Sequence, residues 1–184
     1  MANTTKTISG TGADDNLQGT AGADVIKGNA GDDLLFGLAG DDRLVGGSGN
    51  DELDGGRGSD ELSGDNGADL FVFSFGDLLV SIPPEGTTEA HISLDFGHDV
   101  VTDFQIGVDH LQVRAGSDPV VLTLAQLAEK LLLTQVDVNG DGTQDTLITI
   151  DYIDAETGIH WTDDTSSITL LGVTATSVDQ VFAG

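Results

Sequence analysis

Large apolar residues recur every nine positions along the first part of the chain, at Leu17, Ile26, Leu35, Leu44, Leu53, Leu62 and Phe71. Two residues before each stands an aspartate: Asp15, Asp24, Asp33, Asp42, Asp51, Asp60 and Asp69. Seven residues before each stands a glycine: Gly10, Gly19, Gly28, Gly37, Gly46, Gly55 and Gly64. Four residues before each is a further glycine, except in the first unit, where Ala13 takes its place. Nine residues are 2.5 turns of an α-helix, so successive apolar residues would fall on opposite faces. Sixteen glycines in 63 residues oppose a helix as well. The pattern predicts, in each unit, a glycine-rich turn of six residues and a strand of three, as at 25–27 and 43–45. The middle residue of each strand points inward and its neighbours outward. Two units then make one coil, and stacked coils make a parallel β-roll whose two sheets enclose Leu, Ile and Phe side chains.

The second position of each unit is the least regular: Thr11, Thr20, Asn29, Leu38, Gly47, Gly56 and Asp65. Asn and Asp tolerate a left-handed backbone, whereas Thr and Leu do so poorly. The best-formed turns are therefore expected in the units starting at Gly46 and Gly55, and the poorest at Gly10. With its seven consecutive units over residues 10–72, this pattern resembles the RTX nonapeptide G-G-x-G-x-D-x-U-x, a calcium-binding repeat. The resemblance implies calcium ions, several per chain, between unit n and unit n+2, at no more than five places. The ligands it implies are Asp15, Asp24, Asp33, Asp42, Asp51, Asp60 and Asp69. To these it adds turn carbonyls at positions one and three: Gly19, Ala21, Gly28, Ala30, Gly37, Ala39, Gly46, Ser48, Gly55 and Arg57. The chemistry agrees. Stacked carboxylates repel until a hard cation joins them, calcium accepts six to eight oxygens, and no histidine or thiolate lies in the block to favour zinc or copper.

Charge sharpens this picture. Lys and Arg total 6 against 32 Asp and Glu, a formal net charge of −26. Such a chain repels itself when compact and repels nucleic acid and anionic membranes, so cations are its natural partners. With 38% of residues hydrophobic, it is not the composition of a disordered acidic protein. The absence of cysteine excludes disulfides, thiolate zinc sites and iron–sulfur clusters. Residues 1–10 carry no apolar run of a signal peptide, and no stretch reaches the ~18 apolar residues of a membrane span.

Beyond Phe71 the period stops. The run Asp99, Asp103, Phe104, Gly107, Asp109 resembles the segment that caps the roll in serralysin-type exoproteins, and it offers Asp99, Asp103 and Asp109 as extra ligands or turn formers. Thr123 with Gln126 forms a capping box, and Leu124, Leu127 and Leu131 an apolar face, so 123–132 is expected as a helix. Asp137, Asn139, Asp141, Thr143 and Asp145 place oxygens along a loop with Gly142 at its sharp turn. Ile148 stands where an EF-hand has its glutamate, so the loop resembles a calcium-binding β-hairpin, with an acidic hairpin turn as the alternative. The segment 167–173 reads as an edge strand. Outward-facing Leu34, Phe36, Leu70 and Val72 form an apolar patch that the helix or the 168–173 strand is expected to cover.

The fold class expected is all-β: a right-handed parallel β-roll followed by a β-rich cap with one short helix. Residues 1–9 are a lead-in, 10–73 the roll, and 74–184 the cap with a secretion signal. No HExxH or G-x-S-x-G is present and the four histidines are scattered, so no catalytic constellation is expected. The resemblance implies a calcium-folded module of a protein secreted by type I machinery, extracellular or associated with the cell surface. Its alternative is a polysaccharide-binding module like the R-modules of mannuronan C5-epimerases, which would need basic side chains. The repeats hold only Lys27, Arg43 and Arg57.

Overall fold

The computed structural model describes residues 5–75, 79–81, 89–93, 97–115, 120–121, 131–153, 160–177 and 180–182. The repeats alternate between two parallel sheets. One takes β1 (Lys6–Ser9), β3 (Asp24–Ala30), β5 (Arg43–Ser48) and β7 (Glu61–Asn66); the other takes β2 (Asn16–Gln18), β4 (Leu34–Ala39), β6 (Glu52–Arg57) and β8 (Leu70–Phe75). Neighbouring strands pair 18 residues apart, as Ile26 with Leu44 and Leu35 with Leu53. This is the parallel β-roll that the nine-residue period dictates. Ile26, Leu35, Leu44, Leu53, Leu62 and Phe71 are fully buried between the sheets.

Two features extend the roll beyond the repeats. At its start, β1 places Ile8 in register with Ile26, so a half-coil precedes the first glycine–aspartate unit. At its end, β11 (His98–Val101) pairs with β7 and sets Val101 beside Leu62, and β12 (His110–Ala115) pairs with β8 and sets Leu111 beside Phe71. The inward column thus continues through Val101 and Leu111, then through Leu170 of β16 (His160–Leu170) and Phe182. Ile148, Ile168, Val173 and Ala175 join the same core.

The strands are longer than the three residues expected. Most run six, because the first three residues of the next turn keep pairing with the adjacent coil, as Asn29 does with Gly47. The expected helix also needs correcting. Leu131 and Leu132 lie in β14 (Leu131–Val136), which pairs antiparallel with β15 (Asp145–Ile153), so the local helical pattern yields to a cross-strand partner. The rest of that segment, 123–130, lies outside the described residues, and no α-helix occurs among the described ones. Among the described residues, no helix is long and apolar enough to cross a membrane. The 167–173 segment is no edge strand either: Ile168 pairs with Asp99 on one side and Ile148 on the other. It extends the first sheet and does not cover the apolar patch of the second, where Val72 is buried and Leu34 remains 38% exposed. β9 (Leu79–Ser81) and β10 (Glu89–Ser93) complete the first sheet, and β13 (Val120–Val121) the second.

Candidate calcium-binding site

The repeat aspartates form two ladders, one along each row of turns. Oδ1 of Asp42 accepts the main-chain N–H of Asp24 at 2.7 Å, and Asp60 repeats the contact with Asp42 at 2.8 Å. On the other row Asp33 receives Asp15, Asp51 receives Asp33, and Asp69 receives Asp51, at 2.7 to 2.9 Å. Each aspartate therefore clamps the coil before it, which its two-residue offset from the inward side chain makes possible. Asp99 and Asp109 continue the two ladders, accepting the N–H groups of Asp60 and Asp69. Both belong to half-repeats, Gly97-His98-Asp99-Val100-Val101 and Gly107-Val108-Asp109-His110-Leu111, with left-handed glycines at φ 85° and 80°. The sequence offered Asp99 and Asp109 as extra ligands; the shift of register hid only that they continue the repeat. Asp103 does something else: its carboxylate receives the N–H groups of Gly64 and Asp65 and the hydroxyl of Ser63, closing the last repeat turn.

A second ladder, running the opposite way, uses the residue before each aspartate. Asp14 Oδ1 accepts the N–H of Asp32, Asp32 that of Asn50, Asn50 Oδ1 that of Ala68, and Asp41 that of Ser59. The sequence carries this signal as short polar residues at 14, 32, 41, 50 and 59, which the reading of the repeat passed over. Where a short polar residue precedes the aspartate, the junction is thus held in both directions by side chains; Ala23 and Ala68 offer no such contact.

The other carboxylate oxygen is what a cation would use. Oδ2 of Asp33, Asp42, Asp51, Asp60 and Asp69 is buried and has no hydrogen-bond partner. Each lies over the first glycine of its own unit, where the Cβ of any other residue would strike it. The same cradle is shared by a carbonyl from the next coil: that of Gly46 above Gly28, and that of Gly55 above Gly37. Of the carbonyls expected as ligands, those of Gly46 and Gly55 face these cradles, and those of Gly28 and Gly37 face the matching spaces over Gly10 and Gly19, beside Asp15 and Asp24. Those of Ser48 and Arg57 accept the N–H groups of Gly31 and Gly40. Ala30 and Ala39 stand in register with Ser48 and Arg57.

No three acidic or histidine side chains converge among the described residues. The cradle is a carboxylate oxygen with main-chain carbonyls, an all-oxygen set that suits a hard cation with flexible coordination. Orphaned buried oxygens in a space that only glycine leaves open fit calcium. Electrostatics agree. Burial, opposed by the ladder amides and reinforced by neighbouring aspartates, pushes Asp42 and Asp69 up to about 6 and Asp60 up to about 7. It pushes Asp99 up to about 9, and Asp51 and Asp109 upward as well. A cation removes the reason for these shifts.

In the hairpin between β14 and β15, Asp137, Asn139 and Asp141 come together. Asp137 accepts the N–H groups of Gly140, Asp141 and Gly142, and Asn139 Nδ2 donates to Asp141. Thr143 donates its N–H to Asp141, whose carboxyl is thereby held below the ordinary range. Asp145 is apart: it is fully buried, and its oxygens receive the N–H groups of Val138 and Gly172.

Fold and site together define a calcium-binding repeat protein built as a parallel β-roll. The sequence model of the RTX calcium-binding nonapeptide repeat (4 copies) matches at residues 9–44 and 36–71, so the repeat block is of that family, and its ion is Ca2+. Among solved structures, it is similar to the AlgE6R3 subunit of the mannuronan C5-epimerase of Azotobacter vinelandii, at 30% identity and TM-score 0.37, covering 94% of this chain and 79% of that one. The AlgE6R2 subunit matches at 26% identity and TM-score 0.31, covering 96% and 92%. The extracellular lipase LipA of Serratia marcescens matches at 16% identity and TM-score 0.45, covering 97% of this chain and 40% of the lipase. No curated protein matches the chain.

Proposed function

We propose that this chain is a non-catalytic module that folds on calcium outside the cell and serves as the C-terminal folding and export module of a protein carried by type I secretion machinery. The observation that supports this is the set of five buried, partnerless carboxylate oxygens in a chain of net charge −26. Such oxygens disfavour the folded state until a cation joins them. Where calcium is scarce, as inside a cell, the repeat block favours the open chain that an export channel requires. Where calcium is plentiful, binding to the folded form alone shifts the balance to the roll. In this reading residues 10–73 are the calcium-dependent block, with ions held between successive coils by the repeat aspartates and turn carbonyls, and 74–184 are the cap.

A polysaccharide-binding role, named for the epimerase whose subunits the chain resembles, would call for available basic side chains. Arg43 pairs with Glu61 and Arg114 with Glu52, which favours the first reading.

A calcium titration of the whole chain, followed by far-UV circular dichroism and calorimetry, tests the proposal. Chelator should leave the repeat block unfolded, millimolar calcium should produce β-structure, and equal magnesium should not. Identical spectra with chelator and calcium would overturn it.

A further inference from the structure

The backbone at the second position of each repeat divides the units into two kinds. Asn29, Leu38 and Asp65 adopt φ of 81°, 83° and 66°, and Gly47 and Gly56 adopt 120° and 94°. The aspartates of those same five units, Asp33, Asp42, Asp69, Asp51 and Asp60, are the ones whose Oδ2 has no partner. In the first two units the second residue is threonine and φ is not positive. There Oδ2 is taken: Asp15 accepts the N–H of Thr11 at 2.6 Å and its hydroxyl at 2.9 Å, and Asp24 accepts the N–H of Thr20 at 2.6 Å and its hydroxyl at 2.8 Å.

The physical link is the peptide plane. A left-handed second residue turns its N–H away from the carboxylate of its own unit and leaves Oδ2 facing the cradle alone. A β-branched threonine avoids the left-handed region. Its N–H stays pointed at the carboxylate, and its hydroxyl adds a second donor. Two neutral donors then do part of what a cation does elsewhere: they satisfy the carboxylate oxygen, but they bring no positive charge and no room for an ion.

Resting on the calcium reading above, we infer that Thr11 and Thr20 close the first two units to calcium, so that only the units with a left-handed second residue present a free aspartate oxygen to an ion. The N-terminal end of the roll is then held by hydrogen bonds independent of metal. No repeat aspartate precedes Asp15, so closure there spares the end coil an unfilled cradle.

The test is calcium stoichiometry, by calorimetry and by native mass spectrometry of the full chain in calcium. Thr20→Gly should allow the left-handed turn, free Oδ2 of Asp24 and raise the count by one ion per chain. Thr20→Ser keeps both donors and should leave the count unchanged. Leu38→Gly, at a turn already left-handed, controls for glycine itself and should also leave it unchanged. The inference is overturned if Thr20→Gly and the double variant Thr11→Gly/Thr20→Gly bind the same number of ions as the parent, or if Leu38→Gly gains one too. A parent that binds no calcium would instead overturn the functional reading on which this rests.

Discussion

The main-chain N–H of Asp60 donates to Oδ1 of Asp99 at 3.0 Å, across 39 residues of chain, where every earlier rung of that ladder spans 18. Asp99 therefore belongs to the repeat array in space although not in register. Asp99→Ala would strand the buried Asp60 amide at a cost of roughly 1–3 kcal/mol. Asp99→Asn keeps the acceptor and removes only the charge that burial disfavours. In thermal melts at fixed calcium the alanine variant should melt clearly lower and the asparagine variant close to the parent. Equal losses would mean that the ladder contact is not what stabilises the junction.

Position within the array should matter as much. Asp42 holds the amide of Asp24 and has a free, buried Oδ2, whereas Asp15 has its Oδ2 capped by Thr11. Asp42→Ala is expected to raise the calcium concentration needed for folding and to lower stability by roughly 1–3 kcal/mol beyond any loss in Asp15→Ala. Melts across a calcium series give the comparison.

Leu38 is held in the left-handed region at φ 83° and is 43% exposed. That conformation costs a leucine roughly 1–2 kcal/mol, of which glycine's extra freedom in the unfolded chain takes back roughly 0.4–1. Leu38→Gly should therefore raise the melting temperature by a degree or more at saturating calcium. A lower melting temperature would show that the side chain contributes more through packing than its backbone loses in strain.

Asp54 faces outward on the second sheet and accepts the hydroxyl of Ser74 at 2.8 Å. Burial pushes its carboxyl upward, against the pull of Ser74 and Arg114. A raised carboxylate in the folded state means that ionisation is penalised there: the penalty is complete above the folded pKa and vanishes below the ordinary value of 3.8. Asp54→Asn should accordingly stabilise the protein at pH 7 to 8, and the gain should fade as pH falls toward 4. Melting temperatures of both proteins over that range would show the convergence; a gain that grows with acidity would contradict it.

The sequence by itself determined whatever repeats at fixed spacing. The inward column from Leu17 to Phe71, the aspartates two residues before it and the glycines that open each turn are local properties of a nine-residue unit, and their side chains admit only a hard cation. It marked the threonines at 11 and 20 as poor formers of a left-handed turn, and it also carried, unread, the short polar residues that form the opposing ladder. Tertiary structure decided where the roll begins and ends. Ile8 joins it only because β1 finds a free edge at β3, and Asp99 and Asp109 join it across intervening segments whose length is loosely constrained, since closure entropy grows slowly with loop length. It decided, too, that Leu131 and Leu132 pair with β15 although their spacing suits a helix, and that Asp145 is buried with its carboxylate tied to Gly172 as well as to Val138 of the hairpin loop. These outcomes depend on partners far along the chain, and periodicity records only near neighbours.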